Sequence, residues 1–115
     1  MTETNKTIEF DDFLKVEIHT GTIVSAEPNA KARKPAYVLR IDFGALGEKT
    51  SSAQITGNYR AEELVGKQVV AVTNFAAKRI AGVKSEVLVL GAVSDAHDIV
   101  LLEPSFTVEN GARIA

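Results

Sequence analysis

Between Tyr37 and Phe43 apolar and polar positions alternate: Tyr37, Leu39, Ile41 and Phe43 fall on one side of an extended chain, Val38, Arg40 and Asp42 on the other. Period-two patterning of this kind predicts a strand with one face in a core and one in water. Val16–Ala26, rich in Thr, Val and Ile, predicts a strand before it. Gly21 there separates Ile18 from Ile23, which have opposite parity, so a bulge or sharp bend is expected at the glycine. After a turn at Gly44–Glu48, Thr50–Ile55 predicts a third strand with Ala53 and Ile55 inward and Ser52 and Gln54 outward. The period then changes. Asn58–Val65 carries Glu62 and Glu63 early and is followed by Gly66, which predicts a short helix with a glycine stop. Lys67–Asn74 and Glu86–Val93 are apolar, β-branched runs and predict two more strands. Ahead of all these, Phe10, Phe13 and Leu14 share one face of a predicted helix over Glu9–Val16, with Asp11 and Asp12 early and Lys15 late.

Strand–strand–strand–helix–strand–strand is the order of an OB-fold, a five-stranded barrel in an otherwise all-β chain with short helices. An SH3-like barrel is the other small closed sheet, and the helix after the third strand favours the first reading. At 115 residues the chain suits a single domain, 1–115, with a barrel core over about 16–93 and extensions at 1–15 and 94–115. The helix is too short to be stable alone, so its aromatic face must dock. Ile99–Leu102, Phe106 and Val108 form an apolar tail beyond the five strands. A homodimer interface built from Phe10, Phe13, Leu14, Ile99, Leu101 and Phe106 would bury both surpluses; a tail folded over one barrel end within the monomer is the alternative.

Charge sharpens the picture. The chain carries 13 Lys and Arg against 15 Asp and Glu, a net of −2. Seven of the cations lie in two windows that hold no acid: Lys31, Arg33, Lys34 and Arg40 between Pro28 and Ile41, and Lys78, Arg79 and Lys84 between Asn74 and Ser85. The rest of the chain keeps six cations against all 15 acids, so the molecule is expected to be electrically two-faced and able to steer an anionic partner to one side. With no Cys there is no disulfide or thiolate chemistry, which suits a reducing cytoplasm. Met1–Thr7 is polar and leads into an acidic amphipathic stretch, unlike a signal peptide or membrane span, so a soluble cytoplasmic protein is expected.

Catalytic patterns are missing from the sequence. His19 and His97 have no metal-pair spacing and read as ordinary surface residues; Ser51, Ser52 and Ser85 lack a nucleophile-elbow pattern. The acid pairs Asp11/Asp12 and Glu62/Glu63 sit at helix starts, where the dipole accounts for them. A non-enzymatic binding protein without metal or cofactor is expected. OB-folds bind ligands across the outer face of strands two and three, between the loops joining strands one to two and four to five. Lys31, Arg33 and Lys34 fall in the first loop and Lys78, Arg79 and Lys84 in the second, with Arg40, Ser52 and Gln54 outward between them. Such a groove suits a phosphate backbone or an extended anionic chain. Tyr37 shares the parity of the core; Phe75 opens the second basic loop, where it can stack on a base. Glu86, after that loop, is placed to pair with Lys84 or Arg79 or to accept from a ligand.

The segments Thr20–Ile23, Lys34–Tyr37, Ile41–Gly44, Ser51–Thr56, Asn74–Phe75, Lys78–Gly82 and Lys84–Gly91, in this order and spacing, resemble the CsaA family of bacterial chaperone-like proteins. The resemblance runs from about Phe10 to residue 115 and extends to the tRNA-binding domain found in many methionyl-tRNA synthetases. It implies an OB-fold homodimer without enzymatic activity, unfolded preproteins and the translocation motor SecA as partners, and tRNA as a second ligand. The wider domain's basic-loop motif corresponds to Asn74, Phe75, Lys78, Arg79, Gly82, Ser85 and Glu86. The chain departs from the wider domain at Val87 and Leu88, where Gly and Met are common. It departs from the CsaA pattern at Ala76–Ala77, where prolines are common, and at His19, where Arg is common.

Overall fold

The computed structural model describes residues 6–115; the first five residues of the polar leader lie outside that range. Helix α1 (Phe10–Leu14) leads into strand β1 (Ile18–Pro28), followed by β2 (Tyr37–Asp42), a single 3₁₀ turn at Gly44–Leu46, and β3 (Glu48–Ala53). Helix α2 (Ala61–Leu64) then precedes β4 (Gln68–Val72), β5 (Lys78–Ile80), β6 (Val83–Ser85), β7 (Leu88–Val89), β8 (Gly91–Ser94) and β9 (Asp98–Leu101). The main sheet runs β3-β2-β1-β4-β7, and every pair in it is antiparallel. Glu86 N donates to Thr50 O at 2.8 Å and Ser51 Oγ to Val87 O at 3.0 Å, which brings the two outer strands together. The result is a nearly closed five-stranded barrel with the OB-fold order.

The alternation in β2 sets the core. Leu39, Ile41 and Phe43 are fully buried, Tyr37 nearly so, and Arg40 faces out. Tyr37 places its hydroxyl on Tyr59 O at 2.8 Å, so its one polar atom is satisfied inside. In β3 the buried set is Ser51 and, just past the strand, Ile55, with Ala53 packed against the core. Strand β1 bonds β4 through Ile18–Thr22 and β2 through Thr22–Pro28, so one strand does serve both halves of the barrel. The irregularity in its register lies at Val24, between Ile23 and Ser25, and not at Gly21. Gly21 is required for another reason: a Cβ there would sit 2.7 Å from Ile41 Cγ2 and from the Phe43 ring.

Three further expectations change. The run Glu86–Val93 is broken into β7 and β8. The second basic window is itself a hairpin, β5–β6, with Lys78 opposite Ser85, Arg79 opposite Lys84 and Ile80 opposite Val83. His19 is buried rather than superficial, its Nδ1 2.9 Å from Thr73 Oγ1.

The apolar tail belongs in part to the single chain. In the β8–β9 hairpin Leu101 is buried and Ile99 packs on the core, and Leu101 N donates to Tyr59 Oη at 3.0 Å. Residues 108–114 then cross the barrel and bond along β1: Thr20 N to Ala112 O at 3.0 Å, Gly111 N to Thr20 O and Ile114 N to Ile18 O, both at 2.8 Å. Gln68 holds the start of this segment through its side-chain amide, with Nε2 2.7 Å from Val108 O and Oε1 3.0 Å from Val108 N. Phe10 and Phe106 remain exposed, at 71% and 82%, while Phe13 is half-buried, its ring tilted 37° from that of Phe10 with centres 6.2 Å apart. Among the described residues no helix is long and apolar enough to cross a membrane.

Candidate nucleic-acid interface

The two cationic windows meet. Lys31, in the β1–β2 loop, lays its side chain on the tip of the β5–β6 hairpin: a Cβ on Gly82 would lie 3.2 Å from Lys31 Cδ and 3.7 Å from its Nζ. Asn29 Nδ2 donates to Ala81 O at 3.4 Å, and Asn29 Oδ1 accepts from Lys31 N at 3.0 Å, which fixes the loop against that tip. The tip is a two-residue turn in which Ala81 (φ 48°) and Gly82 (φ 84°) both have positive φ, the signature of a type I′ hairpin. Arg79 Nη1 reaches back to Gly82 O at 3.1 Å.

Lys31, Arg33, Lys34, Lys78, Arg79 and Lys84 are all exposed, and none is within 4.0 Å of a carboxylate among the described residues. Arg40 is different. Its Nε donates to Glu48 Oε1 at 2.8 Å and its Nη2 also contacts that oxygen, so most of its field is cancelled on the sheet. Glu86 likewise pairs with neither Lys84 nor Arg79; its Oε2 is 4.0 Å from Lys49 Nζ and its Oε1 accepts from Thr50 N at 3.4 Å. The first pairing ties β2 to β3, and the second ties the segment after β6 to β3.

Several polar residues of the basic-loop motif are occupied by the scaffold. Asn74 accepts from Glu17 N at 3.0 Å and donates from Nδ2 to Lys15 O at 2.8 Å, clamping the elbow between α1 and β1 to the end of β4. Ser85 Oγ accepts from Ser52 N at 3.0 Å and joins the hairpin to β3. Gln54 is exposed beyond the end of β3, and Ser52 is half-buried. Phe75 is 58% exposed and stands at the mouth of a hollow of about 420 Å³, lined also by Ser52, Lys78, Ile80, Ser85 and Leu88. Five of its lining residues, Ser52, Phe75, Lys78, Ser85 and Glu86, are candidate site residues of the sequence, and the apolar part, Ile80, Val87 and Leu88, has no counterpart in the charge map.

Of the six residues expected at a dimer interface, Phe10, Leu14 and Phe106 are exposed, Phe13 is half-buried, and Ile99 and Leu101 face the core of their own chain. Among the described residues no group of three or more His, Asp or Glu is placed to hold a metal ion.

Residues 18–113 match the family described as "Putative tRNA binding domain". Among solved structures the chain is similar to the chaperone CsaA of Bacillus anthracis, with TM-score 0.90 and 53% identity over 95% of this chain and 99% of that one. It is similar also to the CsaA chaperone protein of Picrophilus torridus, at TM-score 0.89 and 46% identity over 95% and 100% of the two chains. A protein related to methionyl-tRNA synthetase from Pyrococcus horikoshii superposes with TM-score 0.86 at 28% identity, covering 96% and 99%. Among curated sequences, the methionine–tRNA ligase of Methanococcoides burtonii is 38% identical over 107 residues. That alignment covers 93% of this chain but 16% of the ligase, so the similarity concerns one domain of a much longer enzyme.

Proposed function

The chain belongs to the tRNA-binding-domain family and to its CsaA branch, and from that premise we propose that it is a non-enzymatic tRNA-binding protein that also holds unfolded polypeptide. The contact of Lys31 with the tip of the β5–β6 hairpin carries the reading, because it joins two separate windows into one cationic surface. Six cations without carboxylate partners among the described residues suit a phosphate backbone bent around a structured RNA, bound by shape and charge rather than by base sequence. Lys31, Arg33, Lys34, Arg79 and Lys84 contact phosphates in this reading, while Lys78 and Phe75 line the hollow beside them. Asn74, Ser85 and Glu86 hold the surface in shape through the bonds described above.

The polypeptide part has its own support in the hollow beneath the hairpin, where an apolar lining suits side chains exposed on unfolded proteins. A role in protein export, with preproteins and SecA as partners, follows from the CsaA resemblance and is part of the proposal. So is a homodimer in which Phe10, Leu14 and Phe106 are covered by a second copy, around a single domain spanning 1–115. Titration of tRNA at several salt concentrations tests the central claim: log affinity should fall against log salt with a slope of about −0.7 to −0.9 per phosphate contact. Absence of tRNA binding at low salt removes it. Light scattering tests the dimer, which a monomer mass independent of concentration removes.

A further inference from the structure

The β5–β6 hairpin has two chemically different faces. Lys78, Ile80 and Ser85 line the hollow, together with Phe75, Ala76, Val87 and Leu88. Strand alternation sends Arg79 and its cross-strand partner Lys84 to the opposite face. The two faces therefore present an apolar concavity and a pair of adjacent cations, separated by the thickness of one strand pair.

The backbone adds a third observation. In a two-residue type I′ hairpin the residues flanking the turn exchange hydrogen bonds, so Ile80–Val83 and Lys78–Ser85 are bonded pairs and Arg79–Lys84 lies between them unbonded. The amide and carbonyl of Arg79 consequently point away from β6, and among the described residues no strand pairs β5 on that side. A free strand edge beside an apolar hollow fits an extended polypeptide, which supplies both the backbone partner and the side chains. A phosphodiester strand fits less well: Lys78 is the one cation of the lining, Glu86 offsets it, and the rest of the wall is largely apolar.

We infer that the hollow receives apolar side chains of an extended polypeptide that adds to the free edge of β5, leaving Arg79 and Lys84 on the other face to RNA. This rests on the polypeptide part of the proposed function. Pairing opposite Arg79 turns the paired residue of the guest outward and its two neighbours toward the hollow, so the guest needs apolar residues two positions apart.

The test is fluorescence polarisation with a labelled eight-residue peptide carrying two leucines two positions apart, alone and with saturating tRNA. Ile80 and Leu88 are partly exposed, so Ile80→Ser and Leu88→Ser should leave the fold intact, which an unchanged urea midpoint checks. Each should weaken the peptide by about tenfold, the scale of one buried aliphatic side chain. N-methylation of the residue between the leucines should abolish binding, because it removes the edge hydrogen bond. Saturating tRNA should change the peptide's affinity by less than about twofold, and Arg79→Ala should weaken tRNA while sparing the peptide. Displacement of the peptide by tRNA would overturn the inference and make the hollow a base site. If carboxymethylated, unfolded lactalbumin binds but Ile80→Ser and Leu88→Ser leave that binding unchanged, the assignment falls while the chaperone reading stands. If neither peptide nor unfolded lactalbumin binds, the chaperone reading itself falls.

Discussion

Replacing Gly21 by alanine presses directly on the packing of the barrel. A methyl group at this position would lie 2.7 Å from Ile41 Cγ2 and from Cδ1 and Cε1 of Phe43, all on fully buried side chains. Carbon atoms prefer about 3.5–4.0 Å, so the two side chains would have to retreat by roughly 1 Å inside a close-packed core. Overpacking of that order costs about 1–3 kcal/mol. Alanine also restricts the unfolded chain, which returns about 0.4–1 kcal/mol where the backbone permits it. The φ of Gly21 is not in the left-handed region, so the backbone permits it and the clash remains the dominant effect. Gly21→Ala should therefore destabilise by about 1–2 kcal/mol, a shift of roughly 1 M in the urea midpoint at slopes of about 1–3 kcal/mol/M. Combining it with Phe43→Leu should cost less than the two changes measured separately, because the smaller side chain gives the methyl room. A midpoint equal to that of the unsubstituted protein, or strict additivity with Phe43→Leu, would refute the account of why glycine stands there.

Arg40→Ala should leave the salt slope of tRNA binding nearly unchanged, because Glu48 already neutralises that charge, whereas Arg79→Ala should flatten it by about 0.7–0.9; equal effects would show that the pairing does not persist in solution. Ser51 is 1% exposed and donates to Val87 O, so Ser51→Ala leaves a buried carbonyl without its donor and should cost about 1–3 kcal/mol in urea unfolding. Ala81→Asn places a residue that tolerates positive φ at the hairpin tip and should recover part of a left-handed penalty of about 1–2 kcal/mol, seen as slower hydrogen exchange at Ile80 and Val83. Asn74→Ala removes both bonds that clamp the α1–β1 elbow, and the Glu17 amide should exchange faster while β2 amides are unaffected.

What the sequence made legible was whatever a strand's alternation records. Tyr37, Leu39, Ile41 and Phe43 declare one buried face, and the short helix before Gly66 fixes the order of strands around it. The β5–β6 hairpin left no such record: its strands are three residues long, with Lys78–Ile80 and Lys84 exposed, and its turn is Ala-Gly rather than the Asn-Gly that marks a type I′ hairpin. Pairings across strands were equally silent, since Arg40 meets Glu48 and Glu86 meets Lys49 only once the register of the sheet is known. Gly21 announced a special position, but the neighbours that demand it, Ile41 and Phe43, come from another strand. His19 reads as an ordinary surface residue in the sequence because its partner Thr73 lies 54 residues away.

The crossing segment at residues 108–114 has a consequence for how the protein is made. Its bonds to Ile18 and Thr20 span nearly the whole sequence, and Gly44 and Gly111 fit backbone against backbone, each too close to the other segment for a Cβ. During synthesis the first half of β1 keeps an open edge until Ile114 has left the ribosome, whatever the state of the strands already formed. Through that interval the nascent chain carries a sticky template for neighbouring strands, and the edge is covered only after every strand of the main sheet has been made.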